Sequence, residues 1–285
     1  MARPYGLFDA PIMELIRRRR SWRTFTSQAL TAEHKDLMQT FIDGFETAPF
    51  SNRIRVALFD EPAAKGGIKG TYGVIRGATT FLVGAVSQGP RSLEDFGYVF
   101  EAVLLRATDL GLGTCWMGGT FSRSMFGRRI GLGPSEVVPA ISPVGYRAGR
   151  RGAVDALFSF SAGSAKRKPW HELFFHRDFK TPLSNAAAGA FGEQLEMVRL
   201  APSAANKQPW RLITDGDAIH FLLERTPGFA ALWAVDLQRI DMGIAMCHFE
   251  LCAREAGLKG RWETRAEGLL LPKQYEYSIS WVQEG

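Results

Sequence analysis

Two stretches of this sequence gather side chains that could hold a polar ligand. Residues 17–25 read RRRRSWRTF. A guanidinium is always charged, and its planar fork matches a phosphate bidentately. Arg19, Arg20 and Arg23, with the hydroxyl of Ser21 among them, are therefore candidates for gripping an anion. On charge alone the same run also describes a solvated helix end or a nucleic-acid patch. Residues 201–210 read APSAANKQPW. Pro202 and Pro209 fix their own φ and push the residues before them toward extended backbone, so the loop is stiff. Ser203, Asn206 and Gln208 offer groups that both donate and accept, and none of them titrates. Such a set suits a neutral heterocycle with several donors and acceptors along one edge. By composition the loop is also an ordinary helix-to-strand turn.

A third stretch, residues 111–119, reads GLGTCWMGG. Gly118 and Gly119 permit close approach to their backbone, and Cys115 and Trp116 also read as core residues. No Ser/His/Asp set or carboxylate pair is evident, and the five histidines are scattered. His248, mid-helix among apolar residues, reads as a hydrogen-bonded core histidine. Cys115, Cys247 and Cys252 form no CxxC pair, which argues against a zinc site or a disulfide framework and for a reducing compartment.

These stretches need elements to position them. Ile12, Leu15 and Ile16 share one helical face, and the arginines close that helix where its dipole favours cations. Thr31 is the expected N-cap of a helix over 32–44. Residues 55–59 and 79–86 read as strands, the second apolar throughout and so buried on both faces. A long helix over 96–110 is stopped by Gly111, and 139–145 reads as a further strand. The basic, Gly/Ser/Ala-rich segment 147–168 reads as a linker. Beyond it the order recurs: a helix over 191–200, the 201–210 loop, strands over 211–214 and 220–223 with a hairpin signal at Asp215-Gly216, and a long helix over 236–257.

The recurrence is written in the residues. Positions 95–116 and 241–262 align without a gap at an offset of 146, with seven identities in 22: Asp95/Asp241, Gly97/Gly243, Leu105/Leu251, Ala107/Ala253, Gly111/Gly257, Leu112/Leu258 and Trp116/Trp262. Arg20–Thr24 is echoed by Arg177–Thr181, and Ala48-Pro49 by Ala201-Pro202. The expected architecture is two similar α+β units packed against each other.

The string APS-x-x-N-x-QPW resembles the signature of the FMN-dependent nitroreductase family. The Arg19-Arg20-Ser21-x-Arg23 run and GLGTCWMGG resemble two further motifs of that family. The likeness extends from about residue 12 to residue 262. It fits best the internally duplicated, single-chain branch described as "putative TM nitroreductase". The resemblance implies an α+β, nitroreductase-like fold whose halves mimic the family's homodimer: residues 1–150, a basic linker over 151–168, and residues 169–285. It implies FMN as cofactor, NADH or NADPH as reductant, and a nitroaromatic, quinone or similar acceptor reduced in ping-pong fashion. The chemistry is then the flavin's, with no catalytic side chain and no metal. The phosphate is expected at Arg19, Arg20, Ser21 and Arg23, with Arg150 and Arg151 following the late Gly145-Tyr146. Pro202, Ser203, Ala204 and Asn206 are expected against the ring from the other half, with Trp116, Met117, Gly118 and Gly119 close to it. Tyr72 and Lys69 are further candidates for the cofactor. The second copy of the site is eroded, since HRDFK carries Asp178 and Gly260-Arg261 replaces Thr114-Cys115. One flavin per chain is therefore expected. The alternatives are a flavin-binding relative with other chemistry, of dehalogenase or flavin-degrading type, and a non-enzymatic flavin- or nucleic-acid-binding protein.

Composition sets the outer bounds. At 285 residues, 46% apolar and 22% charged, the chain is an ordinary globular protein of one large domain or two small ones. A net charge of +6 favours an anionic partner without choosing it. The longest apolar run, 78–86, falls well short of the ~20 residues that span a bilayer, and no signal-peptide pattern opens the chain. A cytoplasmic monomer or weak homodimer, acting on small molecules and away from membranes, is the expectation. Nucleic acid is the disfavoured partner.

Overall fold

The computed structural model describes residues 8–44, 48–61, 70–149 and 166–284. The first half runs α1 (Ile12–Arg18), α2 (Ala32–Gly44), β1 (Ile54–Asp60), β2 (Thr80–Ser87), α3 (Ser92–Asp109), β3 (Gly113–Thr114), α4 (Arg123–Arg129), β4 (Glu136–Val137) and β5 (Ile141–Gly145). The second runs α5 (Trp170–Leu173), β6 (Phe174–His176), α6 (Gly192–Leu200), β7 (Trp210–Asp215), β8 (Ala218–Glu224), α7 (Leu237–Glu255), β9 (Gly260–Glu263) and β10 (Tyr275–Gln283).

Local signals explain most boundaries. Thr31 Oγ1 accepts the His34 N–H at 3.2 Å, so that cap does its expected work, and Asp236, for which no cap was expected, accepts the Gln238 N–H at Oδ1 at 3.1 Å. α3 begins at Ser92, earlier than expected, with Glu94 and Asp95 in the first turn where the dipole favours anions. The β7–β8 hairpin closes at the Asp215–Ala218 pair, and Gly216 takes the positive φ of +59° that the turn demands. β2 is buried along its length except at Ser87, although its partners are all antiparallel. No expectation covers β10, although Tyr, Ile, Trp and Val are frequent along it.

The fold is α+β, and its two sheets share one strand order. The first is β1-β2-β5-β3, with β4 also on β2; the second is β6-β7-β8-β10-β9. The shared core of four strands is antiparallel in both, and β6 is a parallel addition at one edge. α3 and α7 lie against each other, each on its own sheet. One hydrophobic cluster runs through both halves, from Leu15 and Leu105 to Leu195 and Phe249.

The repeated residues have assignable work. A Cβ on Gly97 would lie 2.1 Å from Ile240 O, and one on Gly243 would lie 1.8 Å from Glu94 O. Ile240 is the residue that the 146-residue offset pairs with Glu94, so the contact is reciprocal, as across a two-fold axis. Gly111 and Gly257 both have φ +75°. Leu112 N–H donates to Ala107 O at 2.9 Å, and Leu258 N–H to Ala253 O at the same distance. Both helices thus end in the same Schellman motif. Trp116 and Trp262 each donate the indole N–H to a buried glutamate on their own long helix, Glu101 and Glu250.

Candidate functional site

The arginine run is placed by two kinds of backbone. α1 stops at Arg18, and the chain continues extended. Ser21 bridges to Thr114, the Trp22 N–H donates to Thr114 O at 2.8 Å, and the Arg76 N–H donates to Arg23 O at 2.8 Å. Ser21 is therefore laid beside β3, next to the GLGTCWMGG stretch, and Arg23 beside Arg76. Arg20 folds back, its Nη1 donating to the carbonyls of Arg17 and Arg19 at 2.6 and 2.8 Å. Arg19 turns inward and is 7% exposed. Its Nε lies 3.4 Å from Glu101 Oε1, and its Nη1 is buried with no acceptor among the described residues. A buried donor without an acceptor costs about 1–3 kcal/mol, more when charged, so this atom is a candidate contact for an anion. Thr114 Oγ1 is a second buried polar atom without a partner.

The 201–210 loop is stiff for a further reason. Ala205, Asn206 and Gln208 all have positive φ, at 48°, 54° and 49°, a conformation costing about 1–2 kcal/mol for a residue with a Cβ. The contacts that hold it come from the loop itself, from α7 and from residues 166–168. Ala204 N–H donates to Asp241 Oδ1 at 2.9 Å, and Gln208 N–H to Ser203 Oγ at 2.9 Å. Asn206 Nδ2 donates to Lys166 O at 2.8 Å, and Lys168 N–H to Gln208 Oε1 at 2.8 Å. The amides read as a surface for a heterocycle thus hold the loop against residues 166–168.

Arg167, within that tie, is a candidate-site residue that the sequence reading did not single out. Its Nη1 donates to Asn206 Oδ1 at 3.0 Å and its Nη2 to Leu200 O at 3.1 Å. Burial, then the neighbouring charges of Arg19, Arg199 and Arg20, push its pKa down to about 10. Arg167 is thus tied to the end of α6, with Arg19, Arg20 and Arg199 near enough for their charges to act on it. Among the described residues two carboxylates pair with these arginines. Glu101 faces Arg19, and Glu196 holds Arg199 at 2.6 and 2.7 Å. Burial pushes the Glu101 carboxyl up, but Arg19, His248 and Trp116 together hold it below the usual range. Nothing in the basic run of 166–168 distinguishes Arg167 beforehand.

Trp116 is fixed by its bond to Glu101 Oε2 at 2.6 Å and by the edge of its ring on Phe100, 4.9 Å between centroids. Met117 pairs with Ile141 through two backbone bonds of 3.0 Å. The space at Gly118 and Gly119 is taken from the other half. A Cβ on Gly118 would lie 2.8 Å from Leu237 Cδ2, and one on Gly119 would lie 2.0 Å from Trp233 Cζ3. Arg123 donates to Gly118 O. Burial lowers the Arg123 pKa, and nearby Tyr72 partly offsets this. Arg150, Arg151 and Lys69 lie outside the described residues. No cluster among the described residues could hold a metal ion, and no described helix is long and apolar enough to cross a membrane.

The sheet order, the paired central helices and this site define a fold of nitroreductase type. The sequence matches the family described as "Putative TM nitroreductase" over residues 11–253. The chain belongs to that family. Its structure is similar to that of a putative nitroreductase from Thermotoga maritima MSB8, at 20% identity and a TM-score of 0.62, covering 96% of this chain and 94% of that one. A nitroreductase family protein from Clostridium novyi NT aligns at 16% identity and a TM-score of 0.40, over 52% of this chain and 91% of its own. An FMN-dependent nitroreductase from Clostridium difficile R20291 aligns at 17% and 0.40, over 49% and 89%. No curated protein sequence matches.

Proposed function

We propose that this chain is an FMN-dependent oxidoreductase of nitroreductase type with one flavin per chain. The observation that carries the reading is the buried Arg19 Nη1 without an acceptor among the described residues, with Arg167 near enough for the two charges to interact. A phosphate dianion is the group that would satisfy it. Arg19, Arg20, Ser21 and Arg23 would hold that phosphate, with Arg150 and Arg151 as further candidates. Thr114 Oγ1, Trp116, Met117, Gly118 and Gly119 would border the ring from the first half. Pro202, Ser203, Ala204 and Asn206 would border it from the second. Bound FMN would supply hydride chemistry, from NADH or NADPH to a nitroaromatic, quinone or similar small acceptor. The side chains would bind and orient; none is assigned as an acid or base.

The two halves, 1–150 and 169–285 joined by 151–168, would descend from one duplicated unit. The common strand order, reciprocal glycine crossing and matching helix ends support this. A monomer or weak dimer would then build alone what the family's homodimers build from two copies. Single occupancy is supported by the counterpart position. There Phe179 stacks on Tyr275 at 3.9 Å, and His176 is exposed and bonded to Thr214. The burial of Arg19 withdraws that cation from any nucleic-acid patch, because such patches need accessible cations.

The test is the absorbance spectrum of the purified chain after incubation with FMN and desalting, followed by anaerobic addition of NADH or NADPH. One bound flavin, bleached by the reductant, is expected. A chain that retains no flavin would refute the reading, and two flavins would refute single occupancy.

A further inference from the structure

We propose that Glu101 and His248 are a positioning pair, drawn from the two halves, that aims Arg19 at its anion. The inference rests on the reading of the site as a phosphate receptor and deepens it.

Glu101 lies on α3 and is fully buried. It faces three donors from three elements: Trp116 Nε1 at 2.6 Å, His248 Nε2 at 3.0 Å and Arg19 Nε at 3.4 Å. Two belong to first-half signature stretches, and the third comes from α7 in the second half. His248 is 1% exposed, and its Nδ1 lies 2.9 Å from Met197 O on α6. A carbonyl only accepts, so Nδ1 is the donor there. The ring of His248 is thus held between α6 and Glu101. With Trp116 and His248 fixing the carboxylate, Glu101 pairs with Arg19 at its Nε edge. The Nη1 edge of that guanidinium, without an acceptor among the described residues, is left for the ligand.

The second half holds the comparison within the same molecule. Glu250 on α7 accepts the Trp262 indole N–H, and the Tyr98 hydroxyl of the other half at 2.8 Å. The plan is the same, one glutamate between its own tryptophan and a donor from the opposite helix. The charges differ. Burial and then Glu250 push the Tyr98 phenol well above its ordinary range, so that donor is neutral. The cation is Arg254, one turn along the same helix and half-exposed, which Glu250 neutralises. No segment equivalent to Arg19 arrives, since His176 points to Thr214 instead. One position turns a buried guanidinium edge toward a ligand, and at its counterpart the cation is the half-exposed Arg254.

The experiment measures dissociation constants of FMN and riboflavin by flavin titration for the full chain and for Glu101→Gln, His248→Gln and Glu250→Gln. The first two variants should weaken FMN on the order of tenfold, the scale of one misplaced charge-assisted contact, and riboflavin far less. Glu250→Gln, also a change at a buried glutamate, should leave the FMN-to-riboflavin ratio unaltered. In an Arg19→Gln background, Glu101→Gln should change that ratio no further. Equal loss of both ligands, or additive losses with Arg19→Gln, overturns the proposal. Inorganic phosphate provides a flavin-free readout. It should raise the Tm of the native chain, and Glu101→Gln should abolish that rise. If the native chain binds no flavin, the flavin reading fails while a Glu101-dependent phosphate effect still upholds the pair. If neither ligand responds to Glu101, the pair is refuted.

Discussion

Asp95 and Asp241 are one residue in two settings. Asp95 accepts from Phe50 N–H, Asn52 N–H and Asn52 Nδ2 at 2.8, 2.8 and 2.9 Å. Among the described residues Asp241 accepts only from Ala204 N–H, and its buried Oδ2 has no partner. Burial lifts the Asp241 carboxyl well above the ordinary range; the Ala204 bond opposes this, and Asp236 adds to the rise. A raised folded value means that stability is fully present below the unfolded pKa, about 3.9, and is lost as pH climbs toward the folded value. Asp241→Asn should therefore flatten that part of the pH dependence and cost within about 1 kcal/mol at neutral pH. Asp95→Asn sets an amide N–H against donors and should cost about 1–3 kcal/mol. Thermal melts of both variants across pH check the pair, and equal losses at neutral pH would contradict it.

At the scale of elements, the contact between α3 and α7 is the most exacting feature. Gly97 and Gly243 let the backbone of one helix reach a carbonyl of the other, and neither carbonyl can move as a side chain could. Gly97→Ala and Gly243→Ala should each destabilise by about 3 kcal/mol or more, read as a fall in Tm. Gly119→Ala meets only the Trp233 ring. It should cost less, and should alter near-ultraviolet circular dichroism as that ring moves. A melt in which Gly119→Ala was the most damaging of the three would show that the rings, not the helix backbones, set the limit.

At the scale of the molecule, the halves share one hydrophobic cluster and a buried Glu101–His248 bridge. Neither half can lose its packing without exposing that core. Calorimetry should therefore show one unfolding transition with matching calorimetric and van't Hoff enthalpies. Two resolved transitions would mean that the halves are separate cooperative units.

The sequence alone determined what depends on neighbours along the chain. The cap at Thr31, the stops at Gly111 and Gly257, and the periodicities of the long helices follow from local backbone chemistry. The seven identities at the 146-residue offset announced paired α+β units, and the 201–210 string with the Arg19–Arg23 run announced the family. The tertiary structure decided which distant groups meet. Glu101 and His248, 147 positions apart, share a hydrogen bond. Arg167, ordinary within a basic run, closes on Asn206 and joins Arg19. The loop amides face their own chain, and Gly119 makes room for Trp233. Local signals act over a few residues through fixed backbone geometry, whereas burial, charge pairing and unsatisfied donors exist only once packing has removed water from particular atoms.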